Sequence, residues 1–339
     1  MRSSATRPSA AALAISGLLL GGCAPTARSA LTAPATVIPQ APATGGPRPS
    51  STWAVDPAVI GANELGMVPV LMIHEIVPLP KRVYDRTPEA FRALLERLWS
   101  EDYRPITARA YVTGHVDIPA GKHPVVITLD DAYTNQAQID PDGAPKADTA
   151  LGILEAFGRE HPDFHPTATF YVNTAPPAFV DDKVLPWLAA HGYEIGAHTI
   201  DHANLHKMSD ADVQREIGGN IADIDKSVPG YAVTTMATPF GADPVNRALT
   251  HDGTYQGVPY HLAGVMEVDP EPAPSPFAVN FDPFKVPRAG FEDAAIPLDQ
   301  LAERPEQRYT SDGNPDKISF PAAAVGKLAP AFQERAHPY

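Results

Sequence analysis

Residues 125–131 read Val-Val-Ile-Thr-Leu-Asp-Asp, a short apolar run that ends in two carboxylates. A continuous apolar run is typical of a parallel strand covered on both faces, so this segment predicts a buried strand. Asp130 and Asp131 would then emerge at the carboxyl end of that strand. Taken alone, adjacent charges at this position favour a solvent-facing pair at a strand end, and a cation site or a proton-transfer site is the other interpretation.

The flanking sequence repeats this pattern and alternates it with helices. Further apolar runs predict strands at 68–74, 168–172, 194–198, 233–237, 262–268 and, more weakly, 284–286. Apolar residues at helical spacing predict helices after the capping residues Thr87, Asp148 and Asp210, and at 184–190. About seven strands separated mostly by helices predict a parallel sheet, either open or closed into a barrel.

The polar residues of these strands fall at one end. His74, Asp130, Asp131 and His198 each lie at the carboxyl end of a predicted strand. In parallel α/β folds these ends share an edge, where binding and catalytic residues are placed. We therefore expect the four side chains to share one rim of the fold.

The segment His198-Thr199-Ile200-Asp201-His202 adds a second histidine. Histidines four residues apart share a face if the backbone turns helically just after the strand. Two imidazoles and one carboxylate leave coordination positions open for water and substrate, as catalytic zinc sites require. The same spacing also fits surface or core histidines, and His206 is expected to lie past the turn.

Taken together, these motifs resemble those of polysaccharide deacetylases, the NodB-homology enzymes of carbohydrate esterase family four. The motifs follow one another in the family's order: Asp130-Asp131, His198–His202 and Pro239-Phe240-Gly241. The resemblance covers residues 68–290, and the runs VLMIHEI at 70–76 and MATPFG at 236–241 are most similar to the biofilm poly-N-acetylglucosamine deacetylase branch. It implies a deformed (β/α) barrel of parallel strands that removes N-acetyl groups from a glycan.

The resemblance also implies roles for the paired carboxylates and the histidines. In the family the first aspartate is the general base and the second is a metal ligand, which implies Asp130 as the base. Asp131, His198 and His202 would be the ligands of a divalent metal ion, with zinc as the expected metal. A backbone N–H near Phe240 would bind the oxyanion, and Tyr133 lines a sugar subsite or simply packs beside the pair.

The sequence departs from the family pattern at several positions. Ala132 stands where glycine is usual, so the turn after the pair must tolerate a Cβ. Ala237 replaces the arginine that pairs with the base, and Arg288 is the candidate substitute, the alternative being an ordinary loop arginine. The late Leu-x-His motif that supplies the general acid is not evident. His74 is the candidate acid, the alternative being a structural, hydrogen-bonded histidine.

The N-terminus predicts an export signal and a lipid anchor. Arg2 and Arg7 precede an apolar run at 10–20 that is too short to span a bilayer, and Leu20-Gly21-Gly22-Cys23 resembles a bacterial lipobox. The alternative is an incidental free cysteine. We expect a signal peptide at 1–22, a lipidated Cys23 with a Pro/Ala-rich tether to 52, a catalytic domain at 53–297 and an extension of unknown role at 298–339.

Composition excludes several classes of protein. The chain has one cysteine, which excludes a disulfide framework and a Cys-rich metal site. Its net charge of -14 makes nucleic acid an unexpected partner, because phosphate binding needs a basic surface.

The sequence predicts a polysaccharide N-deacetylase on the extracytoplasmic side of a bacterial membrane, or secreted, with an acetylated polysaccharide as substrate and no protein partner. The alternatives are a non-catalytic glycan- or metal-binding lipoprotein and a small-molecule amidohydrolase.

Overall fold

The computed structural model describes residues 55–176, 178–179 and 181–339. Within them the helices are α1 Pro57–Ile60, α2 Pro88–Ser100, α3 Ala108–Val112, α4 Ala150–Glu160, α5 Val184–Ala190, α6 Asp210–Ser227 and α7 Ala295–Glu303. The strands are β1 Val70–Ile73, β2 Tyr103–Ile106, β3 His123–Asp130, β4 Thr169–Val172, β5 Glu194–Ala197, β6 Thr235–Ala237, β7 Asp252–Tyr255, β8 Val258–His261, β9 Gly264–Met266, β10 Ala289–Gly290, β11 Ile318–Phe320 and β12 Ala336–Pro338. The predicted signal peptide at 1–22 and the whole of the predicted tether to residue 52, with Cys23, lie outside these residues. A helix with the length and hydropathy needed to cross a bilayer is not found in the described ranges.

Eight strands form one parallel sheet. Their path is β10-β1-β3-β4-β5-β6-β9, and β2 pairs with the amino-terminal half of β3. The register sets Val70 opposite Val126 and Thr169 opposite Glu194. The prediction of a deformed (β/α) barrel of parallel strands is confirmed. The remaining strands form an antiparallel hairpin of β7 with β8 and a short parallel pair of β11 with β12.

The segment before and through β10 lies between the two ends of this path. Val286 exchanges backbone hydrogen bonds with Val265 and Glu267, beside β9, while Ala289 and Gly290 pair with β1. Residues 284–286, weakly predicted as a strand, contribute only the isolated bridge of Val286 to Met266. The consequence is that Arg288, between these pairings, belongs to the wall of the barrel.

Side chains alternate between the two faces of the sheet, as the pleat requires. One face packs against the helices, and its cluster includes Leu71, Ile127, Leu129, Phe170, Ile195 and Met236 with Phe91, Leu95, Leu154 and Ile217. The alternate strand residues form a second cluster that includes Val70, Val126, Tyr171, Ala237 and Met266. Because Asp130 and Glu194 alternate with residues of the first cluster, they point to the inner side with the second.

Five of the seven described helices begin at side-chain caps, and α5 and α7 do not. Thr87 accepts a hydrogen bond from the backbone N–H of Ala90, as predicted for α2. The predicted caps of α4 and α6 are each wrong by one residue, since Thr149 and Ser209 cap them instead. A hydroxyl in extended conformation reaches the N–H three residues on, which leaves Asp148 exposed and Asp210 in the first turn.

The C-terminal segment packs at the amino end of the barrel strands. Tyr309, Ile318 and Phe320 are buried in the second cluster, and Tyr309 accepts a hydrogen bond from His123, the first residue of β3. The N–H of Ser319 donates to the carboxylate of Glu64, and burial raises the pKa of Glu64 to about 8. Residues 309–320 therefore cover this end of the barrel, and the predicted boundary after residue 297 falls inside α7.

Candidate active site

A cavity of about 680 Å³ opens at the carboxyl end of the strands. The four residues expected at a common rim, His74, Asp130, Asp131 and His198, all line it. The other sequence-predicted site residues that line it are His202, Tyr133, Phe240 and Arg288. Residues distant in sequence thus meet at the end of the barrel where parallel α/β folds place their chemistry.

Three ligand-type side chains converge in this cavity. Oδ1 of Asp131 lies 3.3 Å from Nε2 of His198 and 3.2 Å from Nε2 of His202, and the three donor atoms lie within 4.8 Å of one another. Oδ1 of Asp131 is buried and accepts no hydrogen bond from the described residues. A buried carboxylate oxygen beside two imidazole nitrogens is a donor set that suits a divalent metal ion.

Hydrogen bonding orients His198 for this role. Its Nδ1 lies 2.8 Å from the carbonyl oxygen of Ala237, to which it donates, so that Nε2 faces Asp131. Metal-binding histidines usually donate their other ring N–H in this way, which fixes tautomer and orientation. Ala237, which stands where the resemblance leads us to expect an arginine, therefore orients His198 through its backbone carbonyl.

The segment 198–202 is not helical, so the expected route to convergence is wrong. Asp131, Thr199 and His202 have φ values of 81°, 67° and 54°, in the left-handed region that residues other than glycine rarely adopt. Thr199 Oγ1 accepts a hydrogen bond from the N–H of Ala203 and closes the turn. Left-handed residues, rather than an α-helical turn, bring the two imidazoles together.

Two buried polar residues of α6 support this turn, and the sequence reasoning missed them. Asn220 accepts a hydrogen bond from the N–H of His198 and donates to the carbonyl of Thr199, while Glu216 accepts from the N–H groups of Ile200 and Asp201. Their signal is present in the sequence, because positions 216 and 220 share the buried face with 213, 217 and 224. Polar residues on that face have a structural or site-forming purpose.

The surroundings of the site favour the ionised form of Asp131 and the neutral form of His202. Burial opposes ionisation of Asp131, but the adjacent imidazoles of His198 and His202 outweigh that effect and lower the pKa of Asp131 to about 2. Burial lowers the pKa of His202, and the neighbouring His198 lowers it further. A carboxylate and a neutral imidazole are the forms that bind metal.

Arg288 and Asp130 form a buried double ion pair. The two terminal nitrogens of Arg288 lie 2.7 and 2.8 Å from the two carboxylate oxygens of Asp130, and both side chains are almost fully enclosed. Arg288 also donates to Thr128 Oγ1 and to the carbonyl of Glu267. Burial opposes the charge on Asp130, but the guanidinium of Arg288 outweighs it and holds the pKa of Asp130 below its ordinary value.

His74 lies at the end of β1 beside this pair. Its ring packs at a tilt against Tyr84 with 4.9 Å between ring centroids, and its buried Nδ1 has no hydrogen-bond partner among the described residues. Nε2 of Gln136 donates to the carbonyl oxygens of both His74 and Asp130, which ties the ends of β1 and β3 together. The imidazole is thus held by packing rather than by a bond to Nδ1.

Phe240 and Tyr133 lie beside the metal-ligand triad, which we define as Asp131, His198 and His202. Phe240 has a φ of 60°, is 68% exposed and meets the ring of His202 edge-on at 4.4 Å. The hydroxyl of Tyr133 accepts a hydrogen bond from Arg82 at 3.1 Å. Both aromatic rings therefore border the cavity beside the triad.

Comparisons with known proteins agree with this arrangement. A sequence model of the polysaccharide deacetylase family matches residues 117–258, which include the aspartate pair and both histidines but neither His74 nor Arg288. A comparison with curated proteins finds no match. A deacetylase from Streptococcus pyogenes, solved with acetate, is 18% identical with a TM-score of 0.50, covering 66% of this chain and 91% of its own. A polysaccharide deacetylase from Bacillus cereus is 19% identical with a TM-score of 0.52, covering 68% of this chain and 69% of its own. At these identities the solved structures establish a shared fold.

Proposed function

We propose that the chain is a zinc-dependent hydrolase of the polysaccharide deacetylase family, whose sequence model matches residues 117–258, and that it removes N-acetyl groups from an extracytoplasmic polysaccharide containing N-acetylglucosamine. The observation that carries this proposal is the meeting of Asp131, His198 and His202 beside the buried pair of Asp130 and Arg288. The first three offer a ligand set, and the pair offers a base.

The residues present fit a zinc ion. Two imidazole nitrogens and one carboxylate oxygen are ligands that catalytic zinc accepts, and Oδ1 of Asp131 is buried without a hydrogen bond. A bound divalent ion supplies Lewis acidity, which polarises the acetamide carbonyl and lowers the pKa of a water molecule.

Asp130 is the base in this proposal. Arg288 occupies both carboxylate oxygens from one side, but each oxygen keeps a further lone pair that can accept the proton of the attacking water. The guanidinium keeps Asp130 ionised despite its burial, so that the base is available at neutral pH. This supports the assignment of Arg288 to the task of the arginine that Ala237 replaces.

His74 is the proposed acid, and Phe240 and Tyr133 are the proposed substrate contacts. When the C–N bond breaks, the nitrogen must gain a proton, and His74 lines the same cavity as the base. The backbone N–H of Phe240 would stabilise the oxyanion that develops on the carbonyl oxygen. Water and the N-acetylated sugar are consumed, and acetate and a free amino sugar are released.

The proposed location rests on the N-terminal sequence. Cleavage before Cys23 and attachment of a diacylglyceryl group to its thiol would place two acyl chains in the membrane, which suffices for stable anchoring. The Pro/Ala-rich residues 24–52 would then connect the anchor to the catalytic domain.

Acetate release from acetylated chitooligomers and from peptidoglycan tests the proposal. We expect release that is lost after chelation, is restored by zinc, and falls by more than about 10²-fold in Asp131→Asn, beyond the usual effect of outer-shell changes. The matched control is His206→Ala, since His206 is an exposed histidine that donates to the carbonyl of Asp243. Metal-loaded protein that releases no acetate from any of these glycans would favour the binding-only lipoprotein.

A further inference from the structure

One wall of the cavity is organised by a cation outside it. The guanidinium of Arg82 lies 4.6 Å from the ring centroid of Tyr84 and 5.2 Å from that of Tyr133, and it donates to the Tyr133 hydroxyl. Tyr84 and Tyr133 both line the cavity, whereas Arg82 lines a separate surface groove with Glu75 and Asp85. Arg82 therefore connects two rings that come from different loops.

Two carboxylates fix this cation. Nε of Arg82 donates to Asp85 at 2.8 Å, and a terminal nitrogen donates to Glu75. Asp85 is 4% exposed and also accepts the backbone N–H groups of Lys81 and Arg82, so its position is set by the loop itself. A guanidinium bound by two carboxylates has little conformational freedom. Its contacts with Tyr84 and Tyr133 restrict the positions of those two rings.

The same loop is joined to the segment that carries Tyr133. Asn135 donates to Glu75 at 2.8 Å and accepts a hydrogen bond from the N–H of Ile76 at 3.2 Å. Tyr84 in turn packs against His74, so the wall formed by Tyr84 and Tyr133 runs from the proposed acid to the aspartate pair.

The cavity suits a ligand with apolar faces and polar edges. It is also lined by the exposed side chains of Phe240 and Val268, which are 68% and 53% exposed. Its volume of about 680 Å³ lies within the range of pockets for drug-sized ligands, which is more than one monosaccharide requires. A pyranose ring buries its C–H face on an aromatic side chain and presents its hydroxyls at the edge.

We propose that Tyr84 and Tyr133 form a sugar-binding wall and that Arg82 is the positioning residue that holds it. The wall binds a sugar ring adjacent to the one that loses its acetyl group, so it determines the preference for chains over single sugars. This inference rests on the proposed function, because it names a specificity element of the same site.

Kinetics on N-acetylglucosamine tetramer and monomer test the wall. We expect Arg82→Met to lower the ratio of kcat/KM on tetramer to kcat/KM on monomer by about tenfold, as the loss of one buried sugar face would. The loss should appear as a raised KM for the tetramer, with kcat less affected. Arg92→Met is the matched control, because Arg92 also binds two glutamates and lies over a phenylalanine ring, but on α2.

Two further variants protect the test against misfolding. Tyr84→Leu and Tyr133→Leu keep apolar volume but remove the ring, and each should lower the same ratio while Arg92→Met leaves it unchanged. Equal losses on tetramer and monomer, or no loss, in the folded variants would overturn the wall. If Arg82→Met does not fold, an unchanged ratio in both tyrosine variants has the same meaning.

Binding separates this inference from the proposed function. Calorimetry with acetylated tetramer, in protein that carries Asp130→Asn, measures affinity without turnover. Weaker tetramer binding with Arg82→Met added supports the wall even if the unmodified enzyme releases no acetate, an outcome that would defeat only the proposed function. Acetate release by the unmodified enzyme with unaltered tetramer affinity in the Arg82→Met background would defeat only the wall.

Discussion

Two carboxylates are enclosed in the barrel, and their surroundings are opposite in kind. Asp130, at the carboxyl end of β3, is 2% exposed and forms a double ion pair with Arg288. Glu194, at the amino end of β5, is 1% exposed and accepts hydrogen bonds from the backbone N–H of Arg109 and from two threonine hydroxyls. Burial is the same at both ends, and only the partners differ.

Because their partners differ, the pKa values of these two buried acids are shifted in opposite directions. Burial raises the pKa of Glu194, and its neutral hydroxyl partners do not offset that effect. Burial acts on Asp130 in the same sense, but the charge of Arg288 reverses the result and lowers the pKa of Asp130. The carboxyl end therefore favours the ionised form of its buried acid, and the amino end favours the protonated form.

The two ends are physically connected. The Tyr171 ring lies 5.3 Å from the Arg288 guanidinium, and its hydroxyl bonds to Thr235, which donates to Glu194. Gly196 makes this possible, because a Cβ there would lie 2.3 Å from the Tyr171 ring. A continuous set of polar and aromatic groups thus runs through the barrel from Glu194 at the amino end to Asp130 at the carboxyl end.

Removing the cation is expected to have the largest effect. Arg288→Met leaves Asp130 buried without its partner, so the free energy of unfolding should fall by roughly 3–5 kcal/mol, measured by urea denaturation. If the pair is what distinguishes the two ends, Arg288→Met combined with Asp130→Asn should regain a large part of this loss. Losses that simply add in the double variant would mean that the two residues are not coupled.

The catalytic end should also respond through turnover. His74→Ala is expected to reduce kcat by about 10²-fold or more, because the departing amine loses its proton donor, while metal content is unchanged. Acetate release and metal analysis on the same samples measure both quantities. Near-normal turnover would remove His74 as the acid and leave it a packing partner of Tyr84.

Replacing the acid at the amino end should have a smaller effect. Glu194→Gln keeps shape and most hydrogen bonds, so near pH 5 it should destabilise the protein by only about 1 kcal/mol. The raised pKa of Glu194 gives stability that is present below the ordinary carboxyl pKa and is lost as pH rises through the raised value. The gap between the unmodified protein and Glu194→Gln should therefore shrink as pH rises.

Urea denaturation from pH 5 to 8.5 measures this gap. The exposed Glu89→Gln serves as the control, since it removes a carboxyl without altering the barrel. A gap that widens with pH would show that Glu194 is ionised in the folded protein, and the contrast with Asp130 would be lost.

The sequence predicted most of the barrel because its inner strands are continuous apolar runs. It did not predict β2, whose Arg104 and Pro105 break such a run. Proline is tolerated there because β2 pairs with a single neighbour, β3. The hairpin of β7 and β8 was missed for a similar reason, since most of its residues are at least partly exposed and carry little apolar pattern.

At the site, residues next to strand ends were predictable and loop conformations were not. Asp130, Asp131 and His198 follow from strand position alone. The left-handed backbone of Thr199 and His202 contradicts local preference, because a β-branched residue rarely adopts positive φ. Arg82 carried no signal, since its importance arises only from two rings that tertiary packing brings to it.

The smallest expected effect concerns backbone strain. Most of the described non-glycine residues with positive φ lie at the carboxyl end of the strands. Ala132 stands directly after the aspartate pair with a φ of 56° and is 1% exposed. Ala132→Gly should relieve a strain of about 1 kcal/mol and forfeit a buried methyl worth about 0.8 kcal/mol, so the free energy of unfolding should change by less than about 1 kcal/mol.

Ala137→Gly is the matched control, because Ala137 is equally buried in the same cluster but is not in the left-handed region. With no strain to relieve, Ala137→Gly should destabilise by roughly 1–2 kcal/mol. Equal losses in both variants would mean that the turn after Asp131 stores no strain, and that the site differs from the rest of the barrel in its charges alone.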